Sequence, residues 1–327
     1  MAVKIFFEEY ISIPHLCNEM PYNQNQSAPM AKVVIAFAIV YIVWGSTYFF
    51  VQAALRDFPP FILGALRFMA AGVILLVWLA FKKQKLFNRS QLISSFIVGN
   101  LLLFIGNGTI IWAEETLPSS LVAVLVSASP VWFVLFDART LKSNLRNPFV
   151  ITGVTIGLAG VILLFSEKIY HQLSPVSGNL EIISLIVVVA GSVSWCIGSL
   201  YSKYKTSGDP IVGAGWQMVF AALSFLVLSF FTDEFKQVHI HEIHLRAWLS
   251  VIYLVLMGSI AGYSAYIWLL QVRPATQVST NAYVNPVVAV LLGVLFGGEF
   301  INSLQIGGLA IILLSVFIIN YDKYKIR

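Results

Sequence analysis

The chain has 327 residues, 58% of them hydrophobic and only 11% charged, with a mean hydropathy of +0.84. Ordinary soluble domains carry roughly 25% charged residues, so this balance excludes a soluble enzyme or binding module and indicates a polytopic membrane protein. The net charge of +5 does not point to nucleic acid, because the basic residues are strung between apolar runs instead of being gathered on one folded surface.

Residues 1–29 make a poor signal peptide: Glu8 and Glu9 interrupt their apolar stretch, and Asn18 to Pro29 is polar. Met30-Ala31-Lys32 then opens the first apolar run as an ordinary start does, so residues 1–29 are expected to be a mobile extension or a misassigned start. About 20 apolar residues cross a hydrocarbon core as a helix. Ten such runs follow in chain order, at 33–55, 61–81, 92–113, 119–136, 148–166, 181–201, 211–231, 247–271, 274–297 and 304–321. They lack the period-2 alternation of barrel strands, and backbone polar groups cannot stay unpaired in lipid, so all ten are expected to be helices. The expected fold is all-α: a first repeat over 30–166, a second over 179–321 and a basic tail at 322–327.

Cytoplasmic loops retain Lys and Arg, and the loops here sort into two sets. One holds 15 of the 20 basic residues, in the stretches around Lys32, Lys82–Arg89, Arg139–Arg146, Lys203–Lys205, Arg273 and both termini. The other holds Arg56, Lys168, Lys236 and Arg246 beside Glu114, Glu115, Asp233 and Glu234. Both termini are therefore expected on the cytoplasmic side of the membrane.

The chain also repeats itself. Ile111-Trp112, Pro118, Pro130-Val131 and Val134-Leu135 recur 156 residues later as Ile267-Trp268, Pro274, Pro286-Val287 and Val290-Leu291. Trp44 and Trp195 are 151 apart, Pro60 and Pro210 are 150 apart, and Gly157-Leu158-Ala159 matches Gly308-Leu309-Ala310. Five spans per copy is an odd number, so the second copy enters the membrane from the opposite side. Inverted repeats are a recurring device of secondary transporters, where exchanging the conformations of the halves turns the cavity from one face to the other.

The segments Val43-Trp44-Gly45-Ser46-Thr47-Tyr48, Pro60, Arg67-Phe68, Asn281 to Val290 and Gly298-Glu299 resemble the two EamA-type repeats of the drug/metabolite transporter superfamily, over roughly residues 33–320. That resemblance implies two inverted five-helix repeats around a central cavity and transport of small metabolites such as amino acids. It also gives the expected direction, export, and the expected location, an inner (plasma) membrane.

Candidate site residues follow from chemistry placed inside spans. Pro130 and Pro286 fall near the middle of the fourth and ninth spans, where proline removes a backbone donor and frees the carbonyl four residues earlier; both are expected helix breaks, with Ser127, Ser129, Thr280, Asn281 and Asn285 as nearby polar partners. Arg67 is the formal charge set well inside a span, about 10 Å from its end at 1.5 Å per residue. It is read as an anchor for a substrate carboxylate or as the partner of Glu114 at an outer gate, with snorkelling to the interface as the plain alternative. Its repeat mate is Gln217. Trp44 and Trp195, with Tyr48, Tyr263, Tyr266, Trp268 and Tyr283, make an amphipathic aromatic wall suited to a molecule with an apolar body and a polar head, and Ser46 is a further candidate for substrate contact. Small residues four apart, Gly153 with Gly157, Gly258 with Gly262 and Gly293 with Gly297, are assigned to close helix packing, and the bundle to a monomer or homodimer.

No cofactor or metal is expected. Cys17 and Cys196 form no disulfide framework, and His239, His241 and His244 around Glu242 read as a solvated loop. Two other functional classes make demands of their own on the sequence. An integral-membrane enzyme or lipid-modifying protein needs a catalytic constellation, and none is found. A membrane sensor or scaffold usually adds a soluble domain.

Overall fold

A computed structural model describes residues 29–117, 119–164, 166, 179–238, 242–297 and 302–324. Most of these are helical, in ten rods: α1 (Met30–Ala54), α2 (Pro60–Phe81), α3 (Arg89–Ala113), α4 in two halves (Ser119–Val126 and Ser129–Phe136), α5 (Pro148–Leu164), α6 (Asn179–Lys205), α7 (Pro210–Phe231), α8 (Leu245–Val272), α9 in two pieces (Ala275–Val278 and Asn281–Gly297) and α10 (Ser303–Tyr324). Seven of them, α1, α2, α3, α6, α7, α8 and α10, contain runs long and apolar enough to cross a membrane, and 122–136 and 148–164 are shorter apolar helices. The fold is an all-α multi-span membrane bundle, five rods to a copy, so the second copy is inverted relative to the first. The leader 1–28, the histidines His239 and His241, the Gly298-Glu299 pair and the tail 325–327 lie outside the described residues.

Local chemistry starts and stops the rods. Asn88 caps α3 by accepting from the Ser90 and Gln91 N–H groups, and Asp209 caps α7 by accepting from Ile211 and Val212. Helix α2 begins Pro59-Pro60 and has no side-chain cap of its own. The carboxylate of Glu234, in the loop after α7, takes that role by accepting from Phe61 N at 3.2 Å and Ile62 N at 2.9 Å; a negative charge at a helix N-terminus also complements the macrodipole. At the far ends of α2 and α7, the repeat-related Lys83 and Asp233 both adopt φ of 57°. Each turns the chain out of its helix in the left-handed conformation that glycine more often supplies.

Packing follows the repeat. Mates lie side by side, α2 against α7 and α5 against α10, while the first helix of each copy inserts into the other copy: α1 against α8 and α9, α6 against α3 and α4. Phe225 of α7 sits among Phe61, Phe68 and Phe104 at the α2–α7–α3 junction. A separate apolar cluster joins α5 and α10 to α4 and α9. Large apolar side chains such as Phe81, Ile186, Phe230 and Phe317 stay exposed on the outside of the bundle, as lipid-facing positions require.

Four rods are irregular at mid-bundle. In α3 and α8 the middle stretches Gly99–Asn107 and Leu254–Tyr263 are π-helical, a widened turn that reorients side chains and is frequent at functional sites. In α4 the interruption falls at Ser127-Ala128, just before Pro130. In α9 it falls at Ser279-Thr280, six residues ahead of Pro286, and Pro286 itself lies inside the continuous helix. The two prolines therefore do not sit alike: the hydroxyls of Ser279 and Thr280 donate to the carbonyls of Thr276 and Gln277, so the chain turns where side chains can satisfy freed backbone.

Candidate functional site

A cavity of about 90 Å³ lies between the two copies. It runs from mid-bundle toward the end that carries the acidic loops, for Val51 and Glu114, near the ends of α1 and α3, both line it. Helix α1 contributes Trp44, Thr47, Tyr48 and Val51; α2 contributes Arg67; and α3 contributes Asn107, Ile111 and Glu114. The broken α4 presents Ser129 and Phe133, α6 presents Ser192 and Trp195, and α9 presents Asn281, Ala282 and Asn285 just after its interruption.

Arg67 is 4% exposed. Its Nε donates to Ser259 Oγ at 2.8 Å, and its guanidinium lies 4.9 Å from the Phe68 ring centroid. The ion pairs among the described residues are Lys236–Asp233 and His244–Asp57, so Arg67 has no carboxylate partner there. The widened turn of α8 makes room for it. A Cβ on Gly258 would stand 2.9 Å from Arg67 Nη2, and one on Gly262 would stand 2.7 Å from Trp44 Nε1. These two glycines let side chains of α1 and α2 reach the α8 backbone, where Trp44 Nε1 donates to Gly258 O at 3.1 Å.

Trp44 and Trp195 meet edge to face with centroids 5.5 Å apart, and both rings contact Tyr266, at 4.9 and 5.4 Å. Trp195 Nε1 donates to Tyr266 Oη at 2.9 Å, and the Ser199 hydroxyl lies 2.7 Å from the same oxygen. Tyr266 does not line the cavity; it packs against the two indoles that do. Opposite, Asn285 Oδ1 is buried without a hydrogen-bond partner. Such a group costs free energy until a donor reaches it, and Asn285 and Asn281 line the same space as Arg67.

The remaining residues named from sequence lie off this wall. The Ser46 hydroxyl is 2.6 Å from that of Tyr253, which occupies it in the α1–α8 contact. Gln217 Oε1 accepts from Tyr263 Oη at 2.7 Å, both fully inside the bundle. Tyr283 points into the peripheral cluster and donates to Val154 O at 2.8 Å, over Gly157. Pro130 and Pro286 do not touch the cavity, although their neighbours Ser129 and Asn285 do. Thr47, Asn107, Ser192 and Ser259 were not read from sequence. The signal for two of them was a polar residue set beside small ones in mid-span, Gly106-Asn107-Gly108 and Gly258-Ser259.

Both ends of the bundle are latched. At the acidic end, burial pushes the Glu234 carboxyl up, against the lowering effect of its two backbone donors, and burial together with Glu234 pushes Glu115 up. His244 N donates to Asp57 Oδ2 at 2.8 Å. At the basic end, buried Asp137 accepts from Tyr204 Oη at 3.0 and 3.1 Å, Arg139 lies 4.4 Å above the Tyr204 ring, and Lys203 Nζ donates to the Leu270 and Arg273 carbonyls. These contacts tie together the ends of α4, α6 and α8. Among the described residues no group of His, Cys, Asp and Glu is arranged to hold a metal.

Comparison with known proteins gives this architecture its family. The "Uncharacterized inner membrane transporter YedA" of Escherichia coli K12 is 35% identical over 291 residues, covering 88% of this chain and 90% of that one. The "Probable amino-acid metabolite efflux pump" of the same organism is 23% identical over 301 residues, covering 87% and 93%. A protein of known crystal structure superposes with a TM-score of 0.73 at 18% identity, over 90% of this chain and 99% of that one, which is a likeness of fold. The sequence profile of the EamA-like transporter family matches twice, over residues 31–166 and 182–321. The chain belongs to the EamA-like transporter family, and it is a membrane transporter, not an enzyme.

Proposed function

We propose that this transporter moves a small amphiphilic metabolite bearing a carboxylate, an amino acid or a related compound, by alternating access of its two inverted repeats. One observation carries the substrate class: Arg67, buried on the cavity wall and held by Ser259, has no carboxylate partner among the described residues. A buried cation is costly unless paired, and a ligand carboxylate can supply the missing charge through the planar fork of the guanidinium. Asn281 and Asn285 offer donors and acceptors for the rest of a polar head, while Trp44, Tyr48, Ile111 and Phe133 face an apolar body.

The loop charges support cytoplasmic termini in an inner membrane. The cavity then opens toward the outer side, with the Trp44–Trp195–Tyr266 cluster and the Asp137–Tyr204–Lys203 contacts closing the inner side. Export is the preferred direction, supported by the name of the efflux-pump relative. The test is a thermal-shift screen of amino acids, their amides and their decarboxylated amines against purified protein, because a ligand that binds the folded state raises its apparent stability. Carboxylates should shift the wild type and lose their shift in Arg67→Gln. Amides and amines shifting both proteins as strongly as carboxylates would overturn the substrate class.

A further inference from the structure

A second, smaller chamber of about 30 Å³ lies near the basic end between α3, α6, α7 and α8. Three of its residues are repeat mates of residues on the main cavity: Ser202 of Val51 (offset 151), Gln217 of Arg67 (offset 150) and Ile267 of Ile111 (offset 156). The chamber is thus the counterpart, in the inverted copy, of the outer part of the cavity. Its chemistry differs in one respect, since a carboxamide replaces the guanidinium.

Its hydrogen-bonding groups are only partly used. Gln217 Oε1 is taken by Tyr263, and its Nε2 has no acceptor among the described residues. Ser202 is 1% exposed, and its Oγ is buried without a partner. Gln91 Nε2 donates to Asp209 O at 2.7 Å and Gln271 Nε2 to Ser202 O at 3.2 Å. Asp209, the carboxylate on this wall, is engaged as the cap of α7 through the Ile211 and Val212 N–H groups. The chamber therefore combines a free amide donor and a free hydroxyl with no cation on its wall.

We infer that this chamber is a second ligand subsite on the transport path, one that takes a small uncharged hydrogen-bonding group such as a carboxamide or hydroxyl and rejects a bare carboxylate. An anion entering it must shed water with no positive charge to replace it, whereas a neutral group with one donor and one acceptor meets Ser202 Oγ and Gln217 Nε2 at little desolvation cost. The assignment rests on the alternating-access reading above. It adds that the two faces of the carrier select differently: carboxylates are held from the acidic side, and neutral polar groups are accepted from the basic side.

The test uses iodoacetamide and iodoacetate, thiol reagents of nearly equal size that differ by one charge, on full-length protein in which Cys17→Ser and Cys196→Ala remove the native thiols. A cysteine at Ser202 should react with iodoacetamide faster than with iodoacetate by at least ten-fold more than a cysteine at exposed Lys85 does. Adding Gln217→Arg should lower that ratio at least ten-fold, and Gln271→Arg, one residue from the end of α8, provides a second charge insertion if the first variant does not yield monodisperse protein. A Ser202→Cys thiol that reacts with neither reagent, a ratio equal to that at Lys85, or a ratio that ignores the inserted arginine overturns the inference. A cysteine at Val51 separates this outcome from the fate of the carboxylate reading. It should prefer iodoacetate and lose that preference with Arg67→Gln, and a Val51 result indifferent to Arg67 sinks the anchor while leaving the chamber's own test standing.

Discussion

Trp44 and Trp195 occupy equivalent positions in two halves that enter the membrane from opposite sides, and they touch, edge to face, with centroids 5.5 Å apart. The contact follows from the exchange of first helices, since α1 and α6 each leave their own copy to pack in the other. Edge-to-face pairs contribute about 0.5–1.5 kcal/mol beyond burial, and here the pair is braced by Tyr266, to which Trp195 donates. Trp195→Phe keeps a ring but loses the donor, and Tyr266→Phe loses the acceptor. Each should lower the apparent Tm in detergent, and the two losses should be less than additive, because both remove the Trp195–Tyr266 bond, worth about 1 kcal/mol, while Tyr266→Phe also removes the Ser199 contact. Additive losses would mean the hydrogen bond does not hold the cluster together.

Topology is tested by single cysteines in the same thiol-free background. Sites at Lys85 and Lys142 should be shielded from an impermeant thiol reagent in intact cells, and sites at Glu115 and Gln237 should react. The opposite pattern at either pair overturns the charge-based orientation and the assignment of the cavity to the outer face.

The repeat, the helical class and the Arg67 position were legible in the sequence, because apolar runs of span length and fixed offsets survive as patterns of single residues. The widened turns of α3 and α8 were not. A π-helical turn changes which side chains share a face without demanding a particular residue, and only the glycines around Asn107 and Ser259 hint at it. The α9 interruption was misplaced for a related reason. Proline announces a missing donor, but the chain turns at Ser279-Thr280, where two hydroxyls satisfy the backbone, and Pro286 is carried inside the helix. Nor could spacing reveal that Tyr263 occupies the oxygen of Gln217 or that Tyr253 occupies the hydroxyl of Ser46, since both partners come from another helix.

The Glu234 cap of α2 makes stability depend on pH in a definite direction. Its carboxyl is raised because burial outweighs the two backbone donors, so folding favours the protonated form. The stabilisation is complete below the ordinary carboxylate range, about pH 4, and is lost as pH rises through the raised value. Apparent Tm should therefore climb as the pH falls from neutral toward that range, and Glu234→Gln, which keeps an acceptor without the charge, should flatten the climb. Glu234→Ala leaves the α2 N–H groups uncapped and should cost about 1 kcal/mol at low pH, the cost shrinking as pH rises through the raised value. A Glu234→Gln protein with an unchanged pH profile would assign the dependence to Glu115 or another group.

Arg67 and Glu114 line one cavity from α2 and α3, and two roles for the arginine make different predictions. As a carboxylate anchor, Arg67→Gln should weaken an anionic or zwitterionic ligand by roughly 1.5–3 kcal/mol, the scale of a hydrogen bond to a charged group. Arg67→Lys should rescue it poorly, because a point charge lacks the bidentate fork. Ser259→Ala should weaken the same ligand by a smaller amount, since it frees the Nε that fixes the guanidinium plane. As an outer-gate partner of Glu114, the arginine would instead move flux and not affinity: Arg67→Gln and Glu114→Gln would each slow transport, and the double variant would recover what either single change loses. Affinity and flux measured for the five variants beside the wild type distinguish the roles. A ligand that binds wild type, Arg67→Gln and Ser259→Ala equally, carried at equal rates, would remove Arg67 from the site altogether.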